Sequence, residues 1–237
     1  MIAAIVVAGG TGERFGRAGG KQLALVAGRP MLAHTLEAFE EAPSVDIVIV
    51  VAHPERVEQY RAEAVERLGA RKVTAVVAGG ETRQASVARG LAEVPDDADI
   101  VVVHDGARPL VTASLIERAI EALQSDPSLD GLAVGHPVHD TIKVVGPDGT
   151  VLATPDRESL VAVQTPQAFR ASALRAAHDQ ARRRGIRATD DLALVEAHGG
   201  TVKVIPGPRD NIKVTVPEDL MLAERLLAAR EEGRTHG

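Results

Sequence analysis

MIAAIVVAGGTGERFGRAGGK, residues 1–21, sets an apolar run of strand length, Ile2 to Val7, directly against a glycine-rich loop that ends in a cation. Gly9, Gly10 and Gly12 allow a tight turn and offer backbone N–H groups to an anion, while Arg14, Arg17 and Lys21 add charge that Glu13 only partly cancels. One glycine pair beside solvated arginines would be an ordinary turn. A loop this rich in glycine and cations, placed after the first strand of an α/β chain, reads instead as a phosphate site.

Outward from that strand the same rhythm continues. Asp46 to Val51, Val73 to Val77 and Ile100 to Val103 are apolar runs of strand length, separated by helical stretches near 31–41, 55–68, 82–92 and 112–124. Strand and helix in alternation predict an α/β, Rossmann-like and mostly parallel sheet with helices on both faces. After about residue 136 the pattern changes: Thr141 to Val145 and Thr150 to Ala153 flank Gly-Pro-Asp-Gly, a turn signal, and predict a protruding β-hairpin. A lone hairpin is marginal in water, so it is expected to pack on something else, such as a second subunit. Helices near 170–184, 190–198 and 217–230 and a strand at Val202 to Ile205 complete the reading. The expected organisation is one α/β domain, 1–136 with 160–230, an arm at 137–159 and a frayed tail at 231–237.

Composition narrows the function. The chain has 237 residues, 45% hydrophobic, with 27 Lys plus Arg against 33 Asp plus Glu, and a formal charge of −6. No cysteine is present, which excludes thiol catalysis, Cys-ligated zinc and a disulfide framework, and fits a reducing, cytoplasmic setting. Phe15, Phe39, Phe169 and Tyr60 are the whole aromatic complement, too few for nucleic-acid stacking platforms, and the acidic total argues the same way. Neither a signal peptide nor a membrane-spanning run is expected.

Two common nucleotide motifs fail on inspection. A Walker A loop needs glycine where Phe15 stands and Ser or Thr where Gln22 stands; a dinucleotide fingerprint needs Gly or Ala at Phe15 and an acid after the second strand. Other strand ends carry polar clusters of their own. Val77 leads into AGGETRQASV (78–87), and Val103 into HDGARP (104–109), which sets Asp105 and Arg108 at the sheet rim. Asp190 after Thr189 reads first as a helix cap. His34, His53, His178 and His198 read as surface or capping residues.

AGGTGERF with Lys21-Gln22, AGGETRQASV, HDGARP, HDTIK (139–143), TPDR (154–157), QTPQAF (164–169), ATDD (188–191) and DNIKVT (210–215) resemble, in order and spacing, the motifs of 2-C-methyl-D-erythritol 4-phosphate cytidylyltransferases. The resemblance runs from Ile2 to about Leu227. It implies a homodimer joined through the hairpin arm, CTP and methylerythritol 4-phosphate as substrates, and Mg²⁺ carried by the triphosphate with no protein metal ligands. It also implies catalytic roles for Arg14 and Lys21 at the α-phosphate, and for Arg157 and Lys213 on the alcohol phosphate. Ala8, Gly9, Gly10, Thr11, Gly12, Gly80, Glu81 and Ser86 would bind the nucleotide. Asp105, Ala107, Arg108, Thr141, Thr165 and Thr189 would line the sugar-phosphate side, with Arg157 and Thr165 acting across the dimer. Gly9 and Gly106 stand where alanine is more usual, exchanges expected to cost little; Glu81 stands for aspartate and adds a methylene near the base. A pentitol-phosphate (ribitol 5-phosphate) cytidylyltransferase and a catalytically silent nucleotide-binding module are the alternatives.

Overall fold

Period-two burial builds the centre of the molecule. Ile2, Ala4 and Val6 of β1 (Ile2–Val7) pack into one hydrophobic layer, and Ala3 and Ile5 into the other. The computed structural model describes residues 1–10 and 20–235. After β1 come a short ribbon, β2 (Leu25–Val26) and β3 (Arg29–Pro30), then α1 (Met31–Glu41), β4 (Ile47–Ala52), α2 (Val57–Tyr60), β5 (Val73–Ala78), α3 (Arg83–Ala92), β6 (Ile100–Asp105) and α4 (Ala113–Ser125). β7 (Gly131–Pro137) precedes the arm strands β8 (Val144–Val145) and β9 (Val151–Ala153). β10 (Val161–Arg170), α5 (Ala171–Arg184), α6 (Asp191–Ala197), β11 (Val202–Pro206) and α7 (Pro217–Thr235) follow.

Seven strands form one sheet in the order β11-β7-β10-β6-β1-β4-β5. All neighbours are parallel except β10, which runs antiparallel to both β6 and β7. The α/β, mostly parallel expectation holds. α1, α2 and α4 cover one face, and α3, α5 and α6 the other. The strand order reverses at β1, with β4 on one side and β6 on the other, and open α/β sheets bind ligands beyond the carboxyl ends at such a point.

Three details depart from the sequence expectations. β7 and β10 are full sheet strands that periodicity did not announce. The arm strands are shorter than Thr141–Val145 and Thr150–Ala153, and α7 continues past Arg230 to Thr235. The helix at 55–68 is composite: a 3₁₀ turn at Pro54–Arg56, α2, and a π-helical turn at Arg61–Glu66.

Candidate active site

Side-chain caps fix the helices that border the strand ends. Thr82 accepts from Ala85 N at 3.0 Å to start α3, and Asp190 accepts from Ala193 N at 3.0 Å to start α6, caps worth about 1 kcal/mol each. A small third core of Ala24, Val26, Met31, Ala107, Leu110, Val214 and Ala223 closes the rim under α7. Within it Val214 N donates to Ala107 O at 2.9 Å, which brings Lys213 alongside Asp105.

Beyond the carboxyl ends of β1, β4, β5 and β6 lies a cleft of about 620 Å³, walled by Gly9, Gly10, Lys21, Gly80, Glu81, Ser86, Asp105, Ala107 and Lys213 among others. A larger hollow of about 920 Å³ sits behind α3 against α5, but it contains neither lysine nor Asp105. The glycine loops and the cations meet in the smaller one.

Asp105 is the hub of the cleft's charge. Its Oδ1 lies 3.0 Å from Arg83 Nε and its Oδ2 2.8 Å from Lys213 Nζ, with Arg108 Nε 3.9 Å away. Burial alone would raise this carboxyl; Arg83, Lys213 and Arg108 outweigh burial and hold it well below the usual carboxylate range. Arg83 reaches on to Asp191 Oδ2 at 2.6 Å, and Asp191 Oδ1 meets His178 Nε2 at 3.0 Å. His178 is buried, so its reading as a surface or capping residue is corrected: it is the far end of a chain of polar contacts through Asp191, Arg83 and Asp105 to the exposed Lys213. His53 does cap, accepting from Glu55 N at 3.3 Å.

The Gly79-Gly80 loop is pinned from below. Ser86 Oγ accepts from Gly80 N at 3.1 Å and donates to Thr82 O at 2.9 Å, and Arg89 Nη1 donates to Gly79 O at 2.7 Å. The opposite loop is as tight. A methyl group at Gly9 would sit 2.7 Å from Ala52 O, and one at Gly106 would sit 3.1 Å from Leu32 Cδ1. The expectation that alanine costs little is therefore corrected at Gly9. At Gly9 the strand end itself would have to move.

A family model described as IspD, 2-C-methyl-D-erythritol 4-phosphate cytidylyltransferase, matches residues 2–229. The chain belongs to this family. A cytidylyltransferase of that name from Pelotomaculum thermopropionicum is 47% identical over 230 residues, covering 97% of this chain and 95% of the relative. One from Desulforamulus reducens is 42% identical over 229 residues, covering 97% of each. Among solved structures, the 4-diphosphocytidyl-2C-methyl-D-erythritol synthase of Anaerococcus prevotii superposes with a TM-score of 0.83 at 28% identity over 96% of both chains. The 2-C-methyl-D-erythritol 4-phosphate cytidylyltransferase of Thermus thermophilus gives 0.75 at 36% identity, covering 95% of this chain and 98% of that one.

Against the motifs of the cytidylyltransferase family, the candidate residues fall into four groups. Gly9, Gly10, Lys21, Gly80, Glu81, Ser86, Asp105, Ala107 and Lys213 line the cleft. Ala8, Arg108 and Thr165 are buried beneath it: Arg108 Nη1 donates to Asn211 O at 2.8 Å, and Thr165 Oγ1 accepts from Asp105 N at 3.0 Å and lies 3.0 Å from His104 Nδ1. Thr141, Arg157 and Thr189 are exposed and outside the cleft walls, with Arg157 Nη1 donating to His139 O at 2.9 Å. Thr11, Gly12 and Arg14, with Arg17, lie outside the described residues. Sequence reasoning passed over Arg83 and Asn211, whose Nδ2 donates to Thr165 O at 2.8 Å. Arg83 stands three residues after Gly80, and an arginine at the start of a helix facing a strand-end aspartate was the available signal.

His104, wholly buried behind Asp105, has its imidazole pushed down to about 3, first by burial, with Asp105 opposing and Arg108 and Arg83 adding to the effect. The folded state therefore keeps it neutral while the unfolded chain takes up a proton below about pH 6.5. Stability from this group is complete above that pH and falls as the pH drops toward 3. Between pH 7 and 5 the loss is about 2 kcal/mol. Asp105 and Asp191, both lowered, add losses of the same sign below about pH 4. Urea unfolding at pH 7 and pH 5 measures this, and His104→Asn flattens the difference.

Proposed function

We propose that this chain joins CTP to 2-C-methyl-D-erythritol 4-phosphate, giving 4-diphosphocytidyl-2-C-methyl-D-erythritol and pyrophosphate in non-mevalonate isoprenoid biosynthesis. A phosphate oxygen of the alcohol phosphate attacks the α-phosphorus of CTP in line, and the bond from that phosphorus to the β-phosphate oxygen breaks. The nucleophile is already an anion and needs no general base. The barrier is repulsion between two anions, so positioning and cationic stabilisation carry the rate.

The observation that supports this most is that Lys21 and Lys213, from opposite ends of the chain, share one cleft with two glycine loops. Lys21, with Arg14, is assigned to the α-phosphate and the departing pyrophosphate. Lys213 holds the alcohol phosphate: Asp105 takes one of its three ammonium donors, fixes its head, and leaves the others for substrate. Gly9, Gly10, Gly80 and Glu81 are assigned to the nucleotide side of the cleft they line. Ser86 acts by holding the Gly80 amide in place.

Mg²⁺ is the proposed cofactor, and its contribution is to neutralise triphosphate charge. Asp105 already pairs through both oxygens with Arg83 and Lys213, and no group of three acidic or imidazole side chains gathers among the described residues. Such a donor set suits an ion held by triphosphate oxygens and water. A homodimer through the arm is proposed because Ile142, Val144, Val145, Val151 and Leu152 are exposed there, and a two-stranded ribbon with apolar faces needs cover. Arg157, on the same arm, would then serve the partner's cleft. The proposed compartment is the cytoplasm.

Pyrophosphate release with CTP and each alcohol phosphate in turn tests the reading. Turnover is expected with methylerythritol phosphate. Turnover with ribitol 5-phosphate alone would assign the pentitol reaction instead, and none with either would leave a silent nucleotide-binding module.

A further inference from the structure

Ala8 and Gly20 stand on either side of the first glycine loop, and one side chain lies beside both. Tyr60, the chain's single tyrosine, is wholly buried, and its hydroxyl lies 3.1 Å from Ala8 O and 3.1 Å from Gln22 Oε1. Ala8 is itself fastened to the sheet, donating from its N to Val51 O at 2.7 Å. On the return side, Gly20 caps a 3₁₀ turn, Lys21–Leu23, at a φ of +78°, and a side chain there would come within 2.8 Å of the tyrosine hydroxyl. Lys21 emerges between Gly20 and Gln22, the two residues seated against that ring.

Phenylalanine would fill the same core volume without a polar atom. A hydroxyl buried among Leu, Val and Ala is costly unless its hydrogen bonds serve a purpose. Its proton is shared between the two acceptors, and burial, partly opposed by Arg56, pushes the phenol up to about 12, so the donor persists at every working pH. The helix carrying it changes character at this residue, α2 ending at Tyr60 and the wider π turn beginning at Arg61. Such turns recur where a side chain must be re-aimed at a functional site.

We propose that Tyr60 is a positioning residue for cytidylyl transfer: it ties the departure of the glycine loop to its return and so fixes Lys21 on the wall of the cleft. The role rests on the CTP reading above. It predicts a defect confined to the nucleotide side, because the Asp105–Lys213 pair has no link to Tyr60 among the described contacts.

In Tyr60→Phe, kcat/KM for CTP is expected to fall about tenfold or more, since small misplacements of a catalytic cation are expensive, while KM for methylerythritol phosphate stays within about twofold. Because the chain has one tyrosine, the wild-type sequence labelled with 3-fluorotyrosine gives a single ¹⁹F resonance from residue 60. Saturating CTP is expected to shift it, and methylerythritol phosphate alone to leave it in place. Equal kinetics in Tyr60→Phe, or a resonance that CTP does not move, overturns the proposal. Should the variant fail to fold, the resonance decides. Calorimetry on the wild type separates the two readings: no CTP binding defeats the cytidylyltransferase assignment and this role together, whereas normal binding with an unaffected variant defeats this role alone.

Discussion

Lys21→Ala lowers kcat/KM for CTP by about 10³-fold, roughly 4 kcal/mol of transition-state stabilisation, with the thermal midpoint close to that of the wild type. The size follows from where the charge sits. Lys21 stands on the cleft wall, and its field reaches the first turn of α7, where Asp219 is raised by burial and lowered by the Thr215 and Val216 amides, the Thr215 hydroxyl and then Lys21. A cation on the cleft wall meets negative charge as it develops, and its removal is felt mainly in the transition state. The fold survives because the 3₁₀ turn is held by backbone bonds, Leu23 N to Gly20 O and Ala24 N to Lys21 O, each 3.1 Å. Arginine is a poor substitute, its planar fork being a different shape from a point charge. The same variant probes the dimer. Mixed with Arg157→Ala chains, it is expected to regain about a quarter of wild-type activity, the share of sites that draw both intact residues from different chains. Activity that stays at the background of the separate variants would show that each site is built from one chain.

Arg83→Met costs about 3–5 kcal/mol in unfolding free energy, read from urea midpoints, and slows turnover as well. Arg83 spans two buried carboxylates, Asp105 at 3.0 Å and Asp191 at 2.6 Å, and those two anions outweigh burial in raising its own affinity for the proton. Remove it and Asp191, fully buried, keeps His178 as its one side-chain partner among the described residues. Asp105 keeps Lys213 and the more distant Arg108, so Lys213 is drawn further onto the carboxylate and away from substrate. The control is the pair Arg83→Met with Asp191→Leu. Removing both partners of a buried ion pair leaves less uncompensated charge than removing one, so the double variant should recover part of the stability. If the single variant unfolds at the wild-type urea concentration, the chain is solvated more than its geometry implies.

Much of this is legible in the sequence, and the misses have physical causes. β1, β4, β5 and β6 declare themselves as unbroken Val and Ile runs because both of their faces are covered by helices. β7 and β10 do not. Gly131 and Gly135 interrupt the apolar pattern of one, and Gln164, Thr165, Pro166 and Gln167 fill the middle of the other. Gln164, Thr165 and Pro166 sit at an irregularity between the pairs Val163–Gly135 and Gln167–Ala133, where Pro166 has no N–H to give to a ladder. There the side chains serve the site floor and not a hydrophobic face. Motif reading finds Asp105 at the end of a Val run and Lys21 behind a glycine pair, and takes Lys213 from the resemblance of DNIKVT. It does not separate Thr165 and Arg108, buried under the cleft, from residues on its wall. That distinction depends on which way a side chain leaves the backbone: Arg108 lies in a loop with no period, and Thr165 lies where β10 departs from regular pairing. His178 reads wrongly for another reason: it lies on the buried face of α5 with Leu174, Ala177 and Ala181, and the polar partner that holds it there, Asp191, is on the next helix.

β10 gives the arm an unusual mounting. The projecting segment has β7 and β10 as its two roots, paired from Pro137–Val161 inward, and residues 138–143 and 154–160 link those roots to the arm strands. It is a cantilever clamped by the core of the domain. Halfway along the clamp, Thr165 touches the amide of Asp105, the residue that holds Lys213. A load applied at the arm's tip by a neighbouring molecule passes through those two links into the paired roots, and through Thr165 it has a route to the floor beneath the reacting phosphates.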